Sequence, residues 1–488
     1  MTDAVEVRRG AYRDSVTLMQ VSRAVSGVEG VEAALVAMAT DLNLDLLVRM
    51  AFDLPPDVGP NDLVVAIRGA DEEAVDRGRA RLAEELATQG GGPAAAEVVP
   101  PRTVRAAARR APDASLALVS VPGPYAFAEA MDALDAGLSV LIFSDNVPID
   151  LEVRLKDAAA QRGLLVMGPD CGTAVVAGVG LGFANVVRPG PVGLVAASGT
   201  GAQQVMCLLD AAGVGVSHAL GVGGRDLSAD VGGRSTLAAL ALLDADPATE
   251  QILVLSKPPA PEVAERVRAT AAALATPAVV GLLGPGQDDL TALVSKVTSA
   301  TTWPEWPAPQ PQRPRPGALR GLYAGGTLCD EAMIIASATL GPVRSNIPLR
   351  PEWSLPPDLR AGGHVMIDFG DDDLTRGRPH PMIDPSLRVE RLAGEARDPD
   401  VGVVLLDVVL GHGADPDPAA TMAPAIDSAR RTAAAGGRDL AVVVALCGTA
   451  GDPQGMERQA GALQAAGAHV FVSNAAAARH AVGLLAGS

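Results

Sequence analysis

The stretch LVAASGTGAQQVMCLL (194–209) shows most clearly how this chain folds. An apolar run (194–197) ends at four small residues, Ser-Gly-Thr-Gly (198–201), and a helical pattern of apolar residues follows (202–209). A strand, a tight turn and a helix in this order leave the first backbone N–H groups of the helix without intrahelical partners, and these groups can bind an anion. The stretch therefore predicts one strand–helix unit of an α/β sheet, with phosphate as the expected anion.

Similar apolar runs alternate with helical patterns along most of the 488 residues. Examples are LALVSV (116–121), SVLIFSD (139–145), QILVLS (251–256), HVMIDFG (364–370) and VGVVLLDVV (401–409). Strands without polar alternation are buried on both faces, which is typical of parallel sheets covered by helices on either side. The pattern and the length together predict an α/β protein of several domains.

Stretches rich in glycine and proline divide the chain at 88–102, 186–193 and 303–317, the last of which contains six prolines. A proline-rich segment stays extended and is excluded from the interior of a sheet. The sequence therefore predicts a small ferredoxin-like α+β domain at 1–100, a Rossmann-like domain of the CoA-binding type at 101–189, a first flavodoxin-like domain at 190–300, a proline-rich linker at 301–317 and a second flavodoxin-like domain at 318–488.

The composition restricts the class of partner. The chain has 39 basic and 57 acidic residues, and its net charge of −18 disfavours nucleic acid and anionic membranes as partners. Four scattered cysteines without metal-ligand spacing predict reduced thiols and no metal site. No apolar run approaches the length of a membrane-spanning helix, and the N-terminus lacks the apolar core of a signal peptide. We therefore expect a cytoplasmic protein that acts on a small molecule; homo-oligomerisation stays open.

Three turns of small residues, at 198–200, 325–327 and 447–449, follow predicted strands. Ser or Thr at such a turn either caps the helix or holds an anion, and the recurrence of the turn favours the anion. From this pattern we expect phosphate contacts from Ser198, Gly199, Thr200, Gly448 and Thr449, and substrate contacts from Gly326 and Thr327.

Polar residues follow other predicted strands. In GVGGRDLSADVGG (221–233), Arg225 and Asp226 are suited to orienting a carboxylate or an amide, or else pair with each other in a flexible loop. Asp170, in MGPDCGTA, and Asn185, in LGFANV, are further candidate substrate contacts. Open α/β sheets bind their ligands at the carboxyl ends of the strands, so these positions are favourable ones.

The segment DFGDDDLTRGRPHPMIDPSLR (368–388) is the most polar part of the chain. Within it, Arg378 could clamp an anion and His380 could transfer a proton near neutral pH. The alternative is a solvated surface turn that the prolines only stiffen. With Arg225, these two side chains are our candidate catalytic residues.

These motifs carry a resemblance to known enzymes. From VSVPGPYAFAEAMDALDAG through GPVGLVAASGTGAQQV to GVGGRDL, about residues 117–284, the chain resembles the α subunit of succinyl-CoA synthetase. Residues 318–488 resemble, more faintly, a second ligase domain of the kind found in the β subunit. Over nearly its full length, including YAGGTLCDEA and RGRPHPMIDP, the chain is similar to the FdrA family.

The sequence departs from the synthetase at three places. The synthetase has a glycine-rich loop that cradles CoA, whereas PPRTVRAAARRAPDAS (100–115) contains no glycine. It carries phosphate on a histidine, whereas the corresponding stretch here (279–296) has none. Its nucleotide-binding domain has no counterpart, because a proline linker occupies 303–317. The chain alone therefore lacks the parts of the synthetase mechanism, and the resemblance implies companion subunits encoded separately.

The resemblance also implies a function. It places Ser198–Thr200 and Gly448–Thr449 around one shared anion, which would be phosphate or carbamoyl phosphate. Similarity to the FdrA family implies a subunit of an oxamate carbamoyltransferase-type enzyme of allantoin and ureide catabolism, which converts oxalurate and phosphate to oxamate and carbamoyl phosphate. Such a reaction needs orientation and electrostatic stabilisation more than a covalent nucleophile.

Two other functions stay open. The first is an acyl-CoA synthetase or succinate–CoA ligase (ADP-forming) that needs a partner subunit for its missing parts. The second is a non-catalytic scaffold that keeps the fold and binds the anion without turnover. On the carbamoyltransferase interpretation, phosphate and carbamoyl phosphate are substrates, CoA is not expected, and no cofactor is assigned.

Overall fold

The computed structural model of the chain describes residues 1–11, 13, 15–55, 58–89, 101–310, 316–375 and 378–486. It is an α/β protein in which a small antiparallel sheet precedes sheets built mainly from parallel strands, as the sequence predicts. Within the described residues, every helix is too short or too polar to span a bilayer.

The N-terminal unit has the expected ferredoxin-like alternation of strands and helices. Its elements are β1 (Thr2–Arg8), α1 (Ser15–Ser26), β2 (Val31–Met38), α2 (Asp41–Arg49), β3 (Leu63–Gly69) and α3 (Glu72–Gln89), and the sheet has the antiparallel order β1-β3-β2. Helix α1 buries Leu18, Val21 and Val25 against this sheet. Met19, on another side of α1, packs against the large core of the C-terminal sheets. Helix α1 therefore lies between two hydrophobic cores.

The next unit is a short parallel sheet with the order β4-β5-β6. Its elements are α4 (Val104–Arg110), β4 (Leu116–Val119), α5 (Gly123–Asp135), β5 (Ser139–Ile142), α6 (Ile149–Gln161) and β6 (Val166–Met167). Residues 101–115 contribute α4 and turns, so the described sheet begins at β4.

The first flavodoxin-like sheet has the order β12-β11-β9-β10-β7-β8. Its elements are β7 (Thr173–Val176), β8 (Val179–Gly182), β9 (Pro189–Ala197), α7 (Gly199–Ala211), β10 (Val216–Gly221), α8 (Arg234–Asp244), β11 (Gln251–Ser256), α9 (Pro261–Ala272), β12 (Ala278–Leu282) and α10 (Leu290–Thr298). The hairpin β7–β8, which we expected in the preceding domain, joins this sheet because Val175 pairs with Ala219 of β10. Strand β10, which follows β9 in the chain, lies on one side of β9, and β11 lies on the other side. Because the connections run in opposite directions from β9, a crevice forms at the carboxyl ends of β9 and β11.

The C-terminal sheet has the order β13-β19-β18-β17-β14-β16-β15. Its elements are β13 (Glu305–Trp306), β14 (Ala318–Tyr323), α11 (Gly326–Leu340), β15 (Val343–Arg344), a 3-10 turn (Pro351–Trp353), β16 (His364–Asp368), α12 (Asp372–Thr375), α13 (Ser386–Glu395), β17 (Val401–Val409), α14 (Pro418–Ala435), β18 (Ala441–Cys447), α15 (Met456–Ala465), β19 (His469–Phe471) and α16 (Asn474–Ala486). The strand order reverses between β14 and β17, so the crevice of this sheet lies at the end of β14.

Part of the proline-rich segment belongs to this sheet. Strand β13 is the edge strand of this sheet and pairs antiparallel with β19, and prolines are tolerated next to an edge strand. The remainder of the expected linker includes residues 311–315, which lie outside the described residues.

Helix α7 joins the two flavodoxin-like sheets. Residues 200–209 of this helix are all buried, which is typical of a helix with no solvent face. Gln204 donates to the carbonyl of Val472 at 3.0 Å and accepts from the N–H of Asn474 at 3.2 Å. The sulfur atoms of Cys207 and Cys447 lie 3.8 Å apart in the same interface. The two sheets therefore share one core, which fixes their crevices relative to each other.

A buried ion cluster joins the short parallel sheet to the first flavodoxin-like unit. Lys156 Nζ lies 2.8 Å from Glu152 Oε1 and 2.7 Å from Asp226 Oδ1. The other oxygen of Asp226 accepts from the N–H and the hydroxyl of Thr236 at 2.9 and 2.7 Å. Asp226 therefore has a structural role at this joint, and its carboxylate is fully used there. This placement differs from the substrate contact that we expected for it.

Lys156→Met tests the energetic weight of this cluster. The variant leaves the buried carboxylate of Asp226 without a cation and Glu152 with only the half-exposed Arg225. We expect a loss of about 3–5 kcal/mol from the free energy of unfolding. Urea denaturation of the full chain measures it. The control is Lys296→Met, which breaks an exposed pair with Asp288 and should change stability by about 1 kcal/mol or less. Equal losses in the two variants would contradict this account.

Candidate functional site

The carboxyl ends of strands from three sheets lie close together, and the space between them is here called the cleft. The residues that follow these ends are Asp145 after β5, Asp170 after β6, Ser198 after β9, Arg225 after β10, Lys257 after β11, Gly325 after β14, and Asp368, the last residue of β16. Asp170 is close enough to Arg225 and Lys257 to feel both charges, and Lys257 acts in the same way on Asp368. This is the edge at which parallel sheets bind ligands, here contributed by three sheets at once.

At the centre of the cleft, the N-termini of α7 and α11 meet. The hydroxyl of Ser198 donates to Thr327 Oγ1 at 2.6 Å and accepts from the N–H of Gly201 at 3.0 Å. A Cβ atom on Gly325 would lie only 2.5 Å from the side chain of Thr200. Glycine at 325 is therefore what allows the two helices to approach so closely. Their positive dipole ends come together, which favours an anion at this place.

Backbone donors are available at both helix ends. Gly199 is exposed and Gly326 is half-buried, so the first turn of each helix opens to the cleft. Several N–H groups in these two turns have no hydrogen-bond acceptor among the described residues. They are those of Gly199, Thr200, Gly326, Thr327 and Leu328. Such groups bind the oxygens of phosphate or a carboxylate.

The backbone before α11 is held by a buried ion pair. Asp407, near the carboxyl end of β17, accepts from the N–H groups of Ala324 and Gly325 at 2.7 and 3.1 Å. Arg388 donates to the same carboxylate at 2.8 Å. Burial raises the pKa of Asp407 and lowers that of Arg388, and the attraction between the two charges opposes both shifts. The helix N-terminus is thus fixed before any ligand arrives.

Lys257 places a cation beside these helix ends. A Cβ atom on Gly326 would lie 3.2 Å from Lys257 Nζ and 2.7 Å from Asp368 Oδ2. Lys156 and Lys296 form ion pairs, whereas in the described part of the chain Lys257 forms none. Our sequence reasoning missed Lys257, although a signal existed: it is one of only three lysines in the chain and directly follows a predicted strand.

Carboxyl groups around Lys257 titrate near neutral pH. Burial raises the pKa of Asp368 to about 7 and that of Asp330 to about 6, while Lys257 lowers both. Desolvation raises the pKa of Asp170 to about 7, with Asp372 and Asp145 adding to it, although solvent reaches part of this side chain. Carboxyl groups of this kind can accept or donate a proton at physiological pH.

His380 lies next to Asp368. A Cβ atom on Gly370 would lie 2.9 Å from His380 Nε2 and 3.1 Å from Asp368 Oδ1. His380 Nδ1 accepts from the N–H of Met382 at 3.2 Å, and burial lowers the pKa of the ring to about 4. The ring is therefore neutral at pH 7 and offers Nε2 to the cleft side of the turn.

The two candidate arginines differ in position. Arg225 is half-exposed at the rim of the cleft, where it donates to the carbonyl of Val147 at 2.8 Å and pairs with Glu152 at 2.9 Å. Its charge also acts on Asp372. Arg378 is exposed, and within the described residues nothing brings its guanidinium to the helix ends.

The turn at 447–449 does not face Ser198–Thr200 in the expected way. Thr449 donates its N–H to Asp452 at 2.8 Å and its hydroxyl to the carbonyl of Val186 at 2.6 Å, and the next helix begins only at Met456. Gly448, buried beside Thr449, packs against Leu410. Because the turn leads into a loop, it presents no helix dipole, and Gly325–Thr327 takes the place that we had given it.

Asn185 connects that loop to helix α7. Its amide donates to Asp452 at 2.8 Å and accepts from Gln203 at 3.1 Å. All three side chains are buried. The structure therefore places Asn185 in an internal network behind the helix ends.

Comparisons with known proteins agree with this architecture. Residues 322–484 match the CoA-ligase family, and residues 1–99 match the family described as "AllF, heavy metal-associated domain". The protein YahF of Escherichia coli (strain K12) is 39% identical over 96% of this chain and 95% of its own length.

Two ligase subunits are similar over a shorter part. The succinate–CoA ligase [ADP-forming] subunit alpha 2 of Archaeoglobus fulgidus is 28% identical over 32% of this chain and 54% of that subunit. The malate–CoA ligase subunit alpha of Methylorubrum extorquens is 29% identical over 31% of this chain and 53% of that subunit. The chain thus matches about half the length of each of these two subunits.

Asp368→Asn tests the carboxyl group beside Lys257. A carboxyl whose pKa rises from 3.8 unfolded to about 7 folded stabilises the protein fully below the unfolded value and loses that contribution as the pH rises through this window. We expect the wild-type chain to lose stability between about pH 4 and pH 7, by at most about 1.4 kcal/mol per pH unit from this group, and the variant to lose less.

Thermal unfolding at half-unit pH steps measures this dependence. Asp113→Asn, at an exposed position outside the cleft, is the control and should keep the wild-type slope. The same slope for Asp368→Asn and wild type would show that Asp368 is ionised in the folded chain throughout this range.

Proposed function

The chain belongs to the family of YahF, and on this premise we propose that it is one subunit of an enzyme of the acid–CoA ligase type. In such a reaction an acyl group moves between an oxygen of phosphate and the thiol of CoA, and the thiol proton is exchanged with the solvent. The observation that carries the proposal is the meeting of the α7 and α11 N-termini beside Lys257. Unpaired backbone N–H groups and one ammonium group are suited to a phosphate or an acyl phosphate.

The residues of the cleft have distinct roles in this proposal. The N–H groups at Gly199 and Gly326 hold the phosphate oxygens, and Lys257 offsets the charge that develops on them. Asp368, whose pKa is about 7, exchanges the proton of the phosphate or of the attacking group. Because these groups are positioned by buried contacts, they need little rearrangement as the reaction proceeds.

The chain supplies only part of a ligase. Residues 101–115 form α4 and turns and contain no glycine for a CoA-cradling loop, and the strand and helix at 279–296 contain no histidine to carry phosphate. These residues do not fit CoA, and we derive no step through it within this chain. In our proposal, companion subunits provide the CoA-binding and nucleotide-binding parts.

A second candidate is carbamoyl transfer between oxalurate and phosphate, which gives oxamate and carbamoyl phosphate. The absence of a CoA-cradling loop and of a phosphate-carrying histidine favours this candidate, because direct transfer to phosphate needs neither a phosphohistidine nor CoA. Arg225 at the rim of the cleft would then bind the substrate carboxylate. Both candidates use the same phosphate site and differ in the acyl group and in the need for CoA.

Thermal stabilisation of the purified chain separates these candidates. Inorganic phosphate, acetyl phosphate, carbamoyl phosphate, CoA and ATP are added separately; a ligand at 100 times its Kd adds about 2.7 kcal/mol. We expect phosphate and at least one acyl phosphate to stabilise the chain. Stabilisation by carbamoyl phosphate but not acetyl phosphate favours carbamoyl transfer. No stabilisation by any of the phosphate compounds would overturn both candidates.

Lys257→Met identifies the cation of the site. Loss of one charge-assisted hydrogen bond costs about 1.5–3 kcal/mol, so we expect phosphate to bind roughly 10- to 100-fold more weakly. Calorimetric titration with inorganic phosphate measures the change. Lys296→Met removes a lysine of the exposed pair with Asp288 and is the matched control. Unchanged phosphate affinity in Lys257→Met would remove Lys257 from the site.

A further inference from the structure

We propose that the N-terminal domain holds the turn that carries His380 in place, with Arg23 as the positioning residue, instead of binding a metal. The inference rests on the proposed function for any catalytic role of His380, which borders the same cleft. Its structural content stands on contacts between helix α1 and the C-terminal unit, which do not depend on that function.

The domain's residues do not fit a heavy metal. Residues 1–99 contain neither cysteine nor histidine, although this part of the chain matches a heavy metal-associated family. Soft and transition metals are selected by thiolate and imidazole ligands, which are absent here. The fold of the domain is therefore present without the chemistry that its family description implies.

Helix α1 instead connects two parts of the chain. Its residues Leu18, Val21 and Val25 pack on the sheet of their own domain, whereas Met19 packs on the core of the C-terminal units. The amide of Gln20 donates to the carbonyl of Gly413 at 3.3 Å. The helix thus contacts the loop after β17 with the side that its own domain leaves free.

Arg23 makes the strongest contacts in this interface. Its guanidinium donates to the carbonyl of Ile383 and forms an ion pair with Asp415 at 2.7 Å. The Asp415 carboxylate is largely buried, so this pair is weakly screened by solvent. The N–H of Asp415 in turn donates to the carbonyl of Met382 at 2.8 Å. One side chain of α1 therefore joins the loop 411–415 to the turn 380–384.

The turn depends on such outside contacts because of its composition. Pro379, Pro381 and Pro385 have no N–H groups and cannot donate hydrogen bonds. The N–H groups of Ile383 and Asp384 both return to the carbonyl of His380, inside the turn. The carbonyls of residues 382 and 383 are the groups that reach outwards, and they are taken by Asp415 and Arg23.

Releasing these carbonyls would let water reach His380. Around the ring lie Phe183, with ring centroids 5.7 Å apart, Asp368, and Arg388, whose charge lowers the pKa of the ring. Burial is the main cause of the lowered pKa. A hydrated ring would titrate closer to its usual value of about 6.5.

Arg23→Ala in the full chain tests the inference. The readout is the pKa of His380, measured by nitrogen-15 NMR of the six histidines, with His380→Gln to assign the signal. We expect a pKa of about 4 in the wild-type chain and a rise of one unit or more, to about 5 or above, in Arg23→Ala. Arg23→Lys keeps a cation for Asp415 and should restore part of the lowered value.

The matched control is Arg79→Ala, which removes an arginine of the same domain whose ion pair among the described residues is with Asp76, on the surface of α3. It should leave the pKa of His380 unchanged. The same pKa in Arg23→Ala as in the control would overturn the inference. Should Arg23→Ala fold poorly, Asp415→Asn weakens the same pair with a smaller change and should shift His380 in the same direction.

Phosphate titration of the same variants separates this inference from the proposed function. We expect inorganic phosphate to bind about two- to thirtyfold more weakly to Arg23→Ala than to Arg79→Ala. If the wild-type chain binds no phosphate while the pKa of His380 still rises in Arg23→Ala, the proposed function fails and the positioning role stands.

Discussion

The contact between the N-termini of α7 and α11 is the constraint on which the rest of the structure depends. Two positive helix ends repel each other, and their free N–H groups lose water when they approach. The hydrogen bond from Ser198 to Thr327 and the fit of Gly325 against Thr200 hold them together. Burial of α7 between the two sheets provides the remaining stabilisation, since this helix is part of the shared core.

The sheets, most helices and the N-terminal ferredoxin-like unit could be predicted from the sequence, because uninterrupted apolar runs specify buried parallel strands. The partner of the turn at 198–201 could not. The turns at 325–327 and 447–449 are similar in composition, and only packing decides that the first begins a helix while the second leads into a loop. Arg225 and Asp226 are likewise adjacent in sequence, but Arg225 lies at the rim of the cleft and Asp226 lies in the buried ion cluster with Lys156.

The charged residues of the site were harder to predict than its backbone. Lys257 follows a strand without any motif around it, and Asp368 had the same status as its neighbours in an acidic run. Asp407 did carry a local signal, as the one charge within the apolar strand VGVVLLDVV. Its function depends on the N–H groups of Ala324 and Gly325, about eighty residues earlier, which no local pattern specifies.

The proline-rich segment that contains β13 connects the two flavodoxin-like units within a single chain. Both helix ends belong to one polypeptide, so their encounter is intramolecular and does not depend on the concentration of the protein. Dilution therefore leaves the cleft intact. A site divided between separate chains would instead dissociate once their concentration fell below the affinity of the interface.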